Sequence, residues 1–241
     1  MNIEFMKENT LGPFYFFLHI PKTAGTTLRQ IVDEQYGYKN VLTYYNQNSE
    51  QLLDNLESLL IVNPSYRALI GHFHFGLHER FSFPSTYITF LRHPIARTIS
   101  HYKEWVINHP EWLQDRNGNI QTLLESIKTN PENYSDFQCK MLVSKNLRKK
   151  SNYPISERAL ENLSEKFSGI GLVEYFDKSI TLLSSKFGWK PVKYDKLNVK
   201  NINMNITPEL TEYIMSINKH DLTMYENTKK EITYRIWSNV K

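Results

Sequence analysis

The sequence predicts an α/β fold with a mainly parallel central sheet flanked by helices, and three observations carry that expectation. Short β-rich runs at 14–20, 66–71, 86–91 and 168–173 alternate with helical patterns at 26–36, 50–60, 94–107, 156–166 and 177–187, the signature of strand–helix–strand units. Two of the runs end in a basic residue close to a proline, at Pro21-Lys22 and at Arg92-His93-Pro94. The chain has 241 residues, 40% hydrophobic and 22% charged, which is enough for one sizeable core and too little for two comfortable domains. A single domain spanning 1–241 is therefore expected, with residues 1–13 as an N-terminal extension.

Taken in order, the first strand is the apolar run from Phe14, which stops at Pro21-Lys22 and turns through Gly25 into a helix. Backbone N–H groups in the first turn of a helix lack internal partners and lie at the positive end of its dipole. Lys22, Thr23, Ala24, Gly25, Thr26 and Thr27 thus form a candidate cradle for phosphate or sulfate oxygens. The lysine precedes the glycine and no Gly-Lys-Ser/Thr triplet follows, so this is not a Walker A loop. An ordinary polar turn with a threonine N-cap is the plainer alternative.

The run at 66–71 leads into Gly71-His72-Phe73-His74-Phe75-Gly76-Leu77-His78. His72, His74 and His78 could be structural, or could bind a metal, although no carboxylate or cysteine set with ligand spacing accompanies them. A neutral imidazole with an ordinary pKa of about 6.5 suits a general base. The run at 86–91 ends in Arg92, and Pro94 fits the first position of the next helix. Arg92 and Ser100 could both reach one phosphate, or Arg92 and Arg97 could be surface charges. The basic cluster Lys145-Asn-Leu-Arg-Lys-Lys150 reads as a solvated loop. The last piece opens on Thr207-Pro208-Glu209, an N-cap and first-turn proline, and its helix is expected to pack outside the sheet. Because Lys22, His72 and Arg92 each follow a strand, a parallel sheet brings all three to its carboxyl edge.

Together these motifs resemble the sulfotransferases that use 3′-phosphoadenosine 5′-phosphosulfate, in the carbohydrate branch that includes heparan sulfate 2-O-sulfotransferase. The similarity covers most of residues 14 to 236, including Gly169–Ile180 and Asn218–Tyr225. It implies a P-loop-like sulfotransferase fold. It also implies that Lys22, Thr23, Ala24, Gly25, Thr26 and Thr27 grip the 5′-phosphosulfate and that Arg92 and Ser100 grip the 3′-phosphate. His72 falls on the catalytic base. Related uronosyl enzymes carry a further histidine where this chain has Ile70, and His74 is the candidate substitute, since alternation along an extended segment would put it on the same face.

The resemblance further implies in-line transfer to a saccharide or glycolipid acceptor, with adenosine 3′,5′-bisphosphate as product and no metal required. A nucleotide-binding protein of this fold without turnover is the alternative, and a small-molecule kinase is the other. The kinase would require a Walker lysine and acidic magnesium ligands, which are not seen. A net charge of +4 suits a polyanionic cosubstrate, whereas nucleic-acid binding would ask for a denser basic stripe. With one cysteine, Cys139, no internal disulfide can form. No signal peptide or apolar stretch of membrane-spanning length is evident, so a bacterial, cytoplasmic enzyme is expected.

Overall fold

The computed structural model describes residues 12–45, 49–145, 153–194 and 202–238. Most of the expected 1–13 extension and all but Lys145 of the basic cluster lie outside them. In chain order the regular elements are β1 (Phe14–Leu18), α1 (Gly25–Tyr36), β2 (Val41–Tyr44), α2 (Ser49–Asp54), α3 (Leu56–Val62), β3 (Ala68–Gly71), β4 (Ser85–Leu91) and α4 (Pro94–Asn108). They continue as α5 (Leu123–Thr129), α6 (Phe137–Leu142), α7 (Ile155–Lys166), β5 (Phe167–Leu172), α8 (Phe176–Phe187), α9 (Pro208–Ile217) and α10 (Lys219–Ser238).

The five strands pair in parallel in the order β2-β3-β1-β4-β5. The chain leaves β1 toward one edge of the sheet and returns across it between β3 and β4. The carboxyl ends of β1, β3 and β4 therefore flank a topological switch point, where open α/β sheets bind their ligands. Aromatic and branched residues fill both faces of β1 because both faces are covered. Phe16 and Leu18 pack with Leu53, Leu56 and Leu60 of α2 and α3 and with Met224 and Tyr225 of α10. On the other face Phe17 packs with Leu28, Ile31 and Val32 of α1 and with Ile180 and Leu183 of α8. A third cluster joins Tyr102 of α4, Leu123 and Ile127 of α5 and Ile214 of α9.

The expected elements are present, with differences of physical origin. The helical pattern at 50–60 is divided at Asn55 into α2 and α3. The edge strand β2 went unforeseen, because four residues of β-rich sequence after Gly37 give a weak signal. The C-terminal piece is two helices instead of one, and the second packs against the sheet with Met224, Tyr225, Ile232 and Ile236 in the main core. No described helix is long and apolar enough to cross a membrane.

α6 and α10 cap one another. The buried Asp221 carboxylate accepts hydrogen bonds from Gln138 N (3.0 Å) and Cys139 N (2.7 Å) in the first turn of α6. Asp136, held at φ 42°, accepts from His220 N (2.9 Å) and Asp221 N (3.0 Å) at the start of α10. Each carboxylate satisfies amides that a helix cannot satisfy itself, and each meets a helix dipole at its positive end. Asp221→Ala would strand two buried donors, so a loss of roughly 2–3 kcal/mol of stability is expected by urea denaturation, with Asp221→Asn losing less because one acceptor is kept. Gly71→Ala should also destabilise, since a Cβ there would fall 2.0 Å from the Tyr44 carbonyl oxygen across the β2–β3 pair. Parting those strands is expected to cost about 1–3 kcal/mol.

Candidate functional site

The turn after β1 carries two non-glycine residues in the left-handed region, Lys22 (φ 74°) and Ala24 (φ 64°). Each costs on the order of 1 kcal/mol, and the surroundings hold them there. The Thr23 amide and hydroxyl both donate to Ile20 O, at 3.2 and 2.8 Å. Arg92 Nη1 donates to Lys22 O (3.2 Å), and Arg97 Nε donates to Pro21 O (3.4 Å). Left-handed Ala24 followed by the right-handed first turn of α1 turns successive N–H groups toward one concave side, a nest for an anion. The next element completes it. The N-cap of α1 is Ala24, with no side-chain cap and no acidic residue in the first turn, so a threonine-capped turn is not what forms. Thr23 is buried with both its amide and its hydroxyl committed to Ile20 O, so the amides left to face an anion are those from Ala24 onward.

Arg97 is not a surface charge. It is 1% exposed, lies 4.0 Å from the Phe137 ring and donates to Asn133 O at 2.6 Å, which makes it a brace for the loop. Arg92, at the end of β4, is locked by a two-bond clasp in which its N–H donates to Gln138 Oε1 (3.0 Å) and Gln138 Nε2 donates to its carbonyl (2.8 Å). Ser100, two turns into α4, is 4% exposed, and its hydroxyl has no hydrogen-bond partner among the described residues.

Three strands end in register, Leu18 beside Gly71 and Gly71 beside Tyr44, so the next residue of each is a neighbour. His19 N donates to Gly71 O (2.9 Å) and His72 N donates to Tyr44 O (2.8 Å). The His19 and His72 rings lie 4.6 Å apart, and the Tyr45 ring lies 4.8 Å from that of His72. Neither ring nitrogen of His72 has a hydrogen-bond partner among the described residues. The other histidines go elsewhere. His74 Nδ1 lies 3.2 Å from Lys140 O, and His78 meets the Tyr87 hydroxyl, because the chain leaves the sheet after Gly71 and packs on α6. Among the described residues no three His, Cys, Asp or Glu side chains gather to hold a metal.

Lys22 Nζ donates to Glu104 Oε2 of α4 at 2.7 Å, and Asn108 Nδ2 donates to the same carboxylate. Burial works to raise the Glu104 pKa, but these two hydrogen bonds outweigh it and leave the carboxyl below its ordinary value. The histidines respond in the opposite sense. Burial, then the charged forms of His72 and Lys22, pushes His19 down to about 3. Burial, then Arg97, Lys22 and His72, pushes His101 down to about 2. His72 is an exposed residue, yet partial burial and then Lys22 also lower it. At neutral pH the site therefore holds neutral imidazoles around one ammonium group, able to accept a proton from a hydroxyl while the loop binds an anion.

Lys22, the 23–27 loop, His72 and Arg92 come to one edge, as the order of strands requires. His19, Tyr45, Glu104 and Gln138 went unnoticed in the sequence. His19 is visible at the end of the first apolar run, but its nearness to His72 follows from strand register. Tyr45 depends on the unforeseen β2, and Glu104 and Gln138 on helix packing.

His19 and His101 bind protons in the unfolded chain, near the ordinary value of 6.5, before they do so in the native site. Stability is thus complete above pH 6.5 and falls as pH drops toward the native values. Each group adds a slope approaching about 1.4 kcal/mol per pH unit. Urea midpoints are expected to fall between pH 7 and pH 5, by less in His101→Phe.

A family model described as the sulfotransferase family matches residues 14–227. No curated protein sequence matches the chain.

Proposed function

The chain belongs to the sulfotransferase family, whose members transfer sulfate, and we propose that its donor is 3′-phosphoadenosine 5′-phosphosulfate and its acceptor a hydroxyl of a saccharide or glycolipid. The observation that carries this reading is one sheet edge bearing both an uncapped, lysine-flanked anion cradle and a neutral imidazole whose ring nitrogens are unbonded. The first suits a phosphosulfate and the second a hydroxyl proton.

The residues present fit such a donor. The nest where Ala24 leads into α1 and the first-turn amides of that helix suit the oxygens at the 5′ end. A buried, unpaired hydroxyl such as that of Ser100 is unfavourable, and a 3′-phosphate beside Arg92 would supply its acceptor. The donor brings the sulfuryl group already joined to a good leaving group, so the protein's work is positioning and electrostatics. His72 takes the proton from the attacking hydroxyl. Lys22, turning from Glu104, neutralises charge growing on the oxygen that leaves. The rigid amides of residues 24–27 hold the equatorial oxygens without reorganising.

Adenosine 3′,5′-bisphosphate is expected to bind roughly ten- to a hundredfold more tightly than ADP by calorimetry, and Ser100→Ala to lose much of that margin without disturbing the loop. Arg92→Ala should lose more, since it also releases the Lys22 carbonyl. Equal affinity for the two nucleotides would refute the assignment of the 3′-phosphate.

In a radiolabelled sulfate-transfer assay, His72→Ala should fall about 100- to 10,000-fold while bisphosphate affinity holds. Lys22→Ala should lose both turnover and affinity. Because the pKa of His72 is lowered, the acid limb of kcat/KM is expected below pH 6.5.

A further inference from the structure

His19 has no part in the scheme above, yet its ring is wedged between the anion cradle and the base. A Cβ on Gly25 would fall 1.7 Å from His19 Nε2 and 1.8 Å from Cε1, so the imidazole lies directly against the first residue of α1, and only glycine permits that approach. Its opposite side meets His72, with ring centroids 4.6 Å apart. Its two nitrogens are not equivalent. Nδ1 lies 3.0 Å from the Tyr45 hydroxyl, whereas Nε2 stands beside the uncapped helix end and has no hydrogen-bond partner among the described residues.

We propose that the Tyr45 hydroxyl donates to His19 Nδ1 and so fixes the neutral Nε2–H tautomer, which makes His19 Nε2–H a hydrogen-bond donor to a nonbridging sulfuryl oxygen held in the cradle. The inference rests on the phosphosulfate reading above. The reverse tautomer would set a lone pair of Nε2 against the anion and is disfavoured by simple electrostatics. Two further facts agree. Burial, against the lowering charge of Arg29, raises the Tyr45 phenol pKa to about 12, so the phenol has its proton to give at neutral pH. Burial, then the charges of His72 and Lys22, keeps His19 uncharged, so it holds one ring proton. The two imidazoles then divide the work by hydrogen bonding. His72, with both nitrogens unbonded, accepts a proton, while His19, with Nδ1 occupied, donates a hydrogen bond.

A preorganised donor of this kind contributes on the order of 100- to 1,000-fold to turnover. Nitrogen-15 NMR of histidine-labelled protein at pH 7 should show His19 protonated on Nε2 and bare on Nδ1. That Nε2 signal should move when inorganic sulfate is added in the presence of adenosine 3′,5′-bisphosphate. Tyr45→Phe should shift His19 toward a mixture of tautomers. In the transfer assay His19→Gln, whose amide nitrogen reaches about as far as Nε2, should keep kcat within roughly tenfold of wild type. His19→Asn, whose amide reaches only about as far as Nδ1, should lose about 100- to 1,000-fold in kcat with bisphosphate affinity unchanged. An Nδ1–H tautomer, an Nε2 signal indifferent to sulfate, or folded His19→Asn turning over like wild type would overturn the proposal. So would His19→Gln as impaired as His19→Asn. A wild-type protein that transfers no sulfate would instead remove the phosphosulfate reading, while the tautomer and the sulfate response, which need no variant and no turnover, would still judge His19 as an anion donor.

Discussion

Two guanidinium groups holding the carbonyls of one short turn are the constraint on which the rest of the site depends. Lys22 and Ala24 occupy backbone conformations that side chains resist. A free loop would relax out of them and lose the concave row of amides. Arg92 on Lys22 O and Arg97 on Pro21 O oppose that relaxation. Charged donors give stronger hydrogen bonds than neutral ones, more so for a buried group such as Arg97, in surroundings of low dielectric. The strain is therefore local, and its support comes from β4 and α4.

That support has its own foundation. Arg92 is fixed by Gln138, Gln138 opens α6, and α6 is capped by Asp221 of α10. The path runs from the C-terminal helix to the anion loop through hydrogen bonds between groups that are buried or nearly so, each of which would be costly to leave unmade. The last helix is thus more than a cover for the sheet, because Asp221 sets the position of a residue about 80 positions earlier that clasps Arg92.

One positive charge organises the chemistry around the loop. Lys22 is balanced by Glu104 in the described geometry, and its field joins burial in keeping His19, His72 and His101 uncharged. An imidazole kept neutral is available as a base, and one kept neutral with its Nδ1 already bonded is available as a donor. The same electrostatic surroundings serve both because the Tyr45 hydroxyl hydrogen-bonds with one ring and leaves the nitrogens of the other alone.

The alternation of strands and helices, the Pro-Lys-Thr turn, the Arg92–Ser100 spacing and the family they resemble are all legible along the chain, because each is written within a few neighbouring residues. Hydrophobic period, proline placement and glycine position are local quantities, and local physics reads them. It could not determine that Arg97 would be buried beneath the loop, that the first-turn threonines would leave α1 uncapped, or that Glu104 would meet Lys22 across 82 positions of chain. Nor could it place His19 beside His72. Those facts depend on the register of β1, β3 and β2 and on how α4 and α6 pack against them. Register and packing are decided by the whole core at once, because side chains must fill both faces of a single sheet, and no segment of the chain carries that information alone.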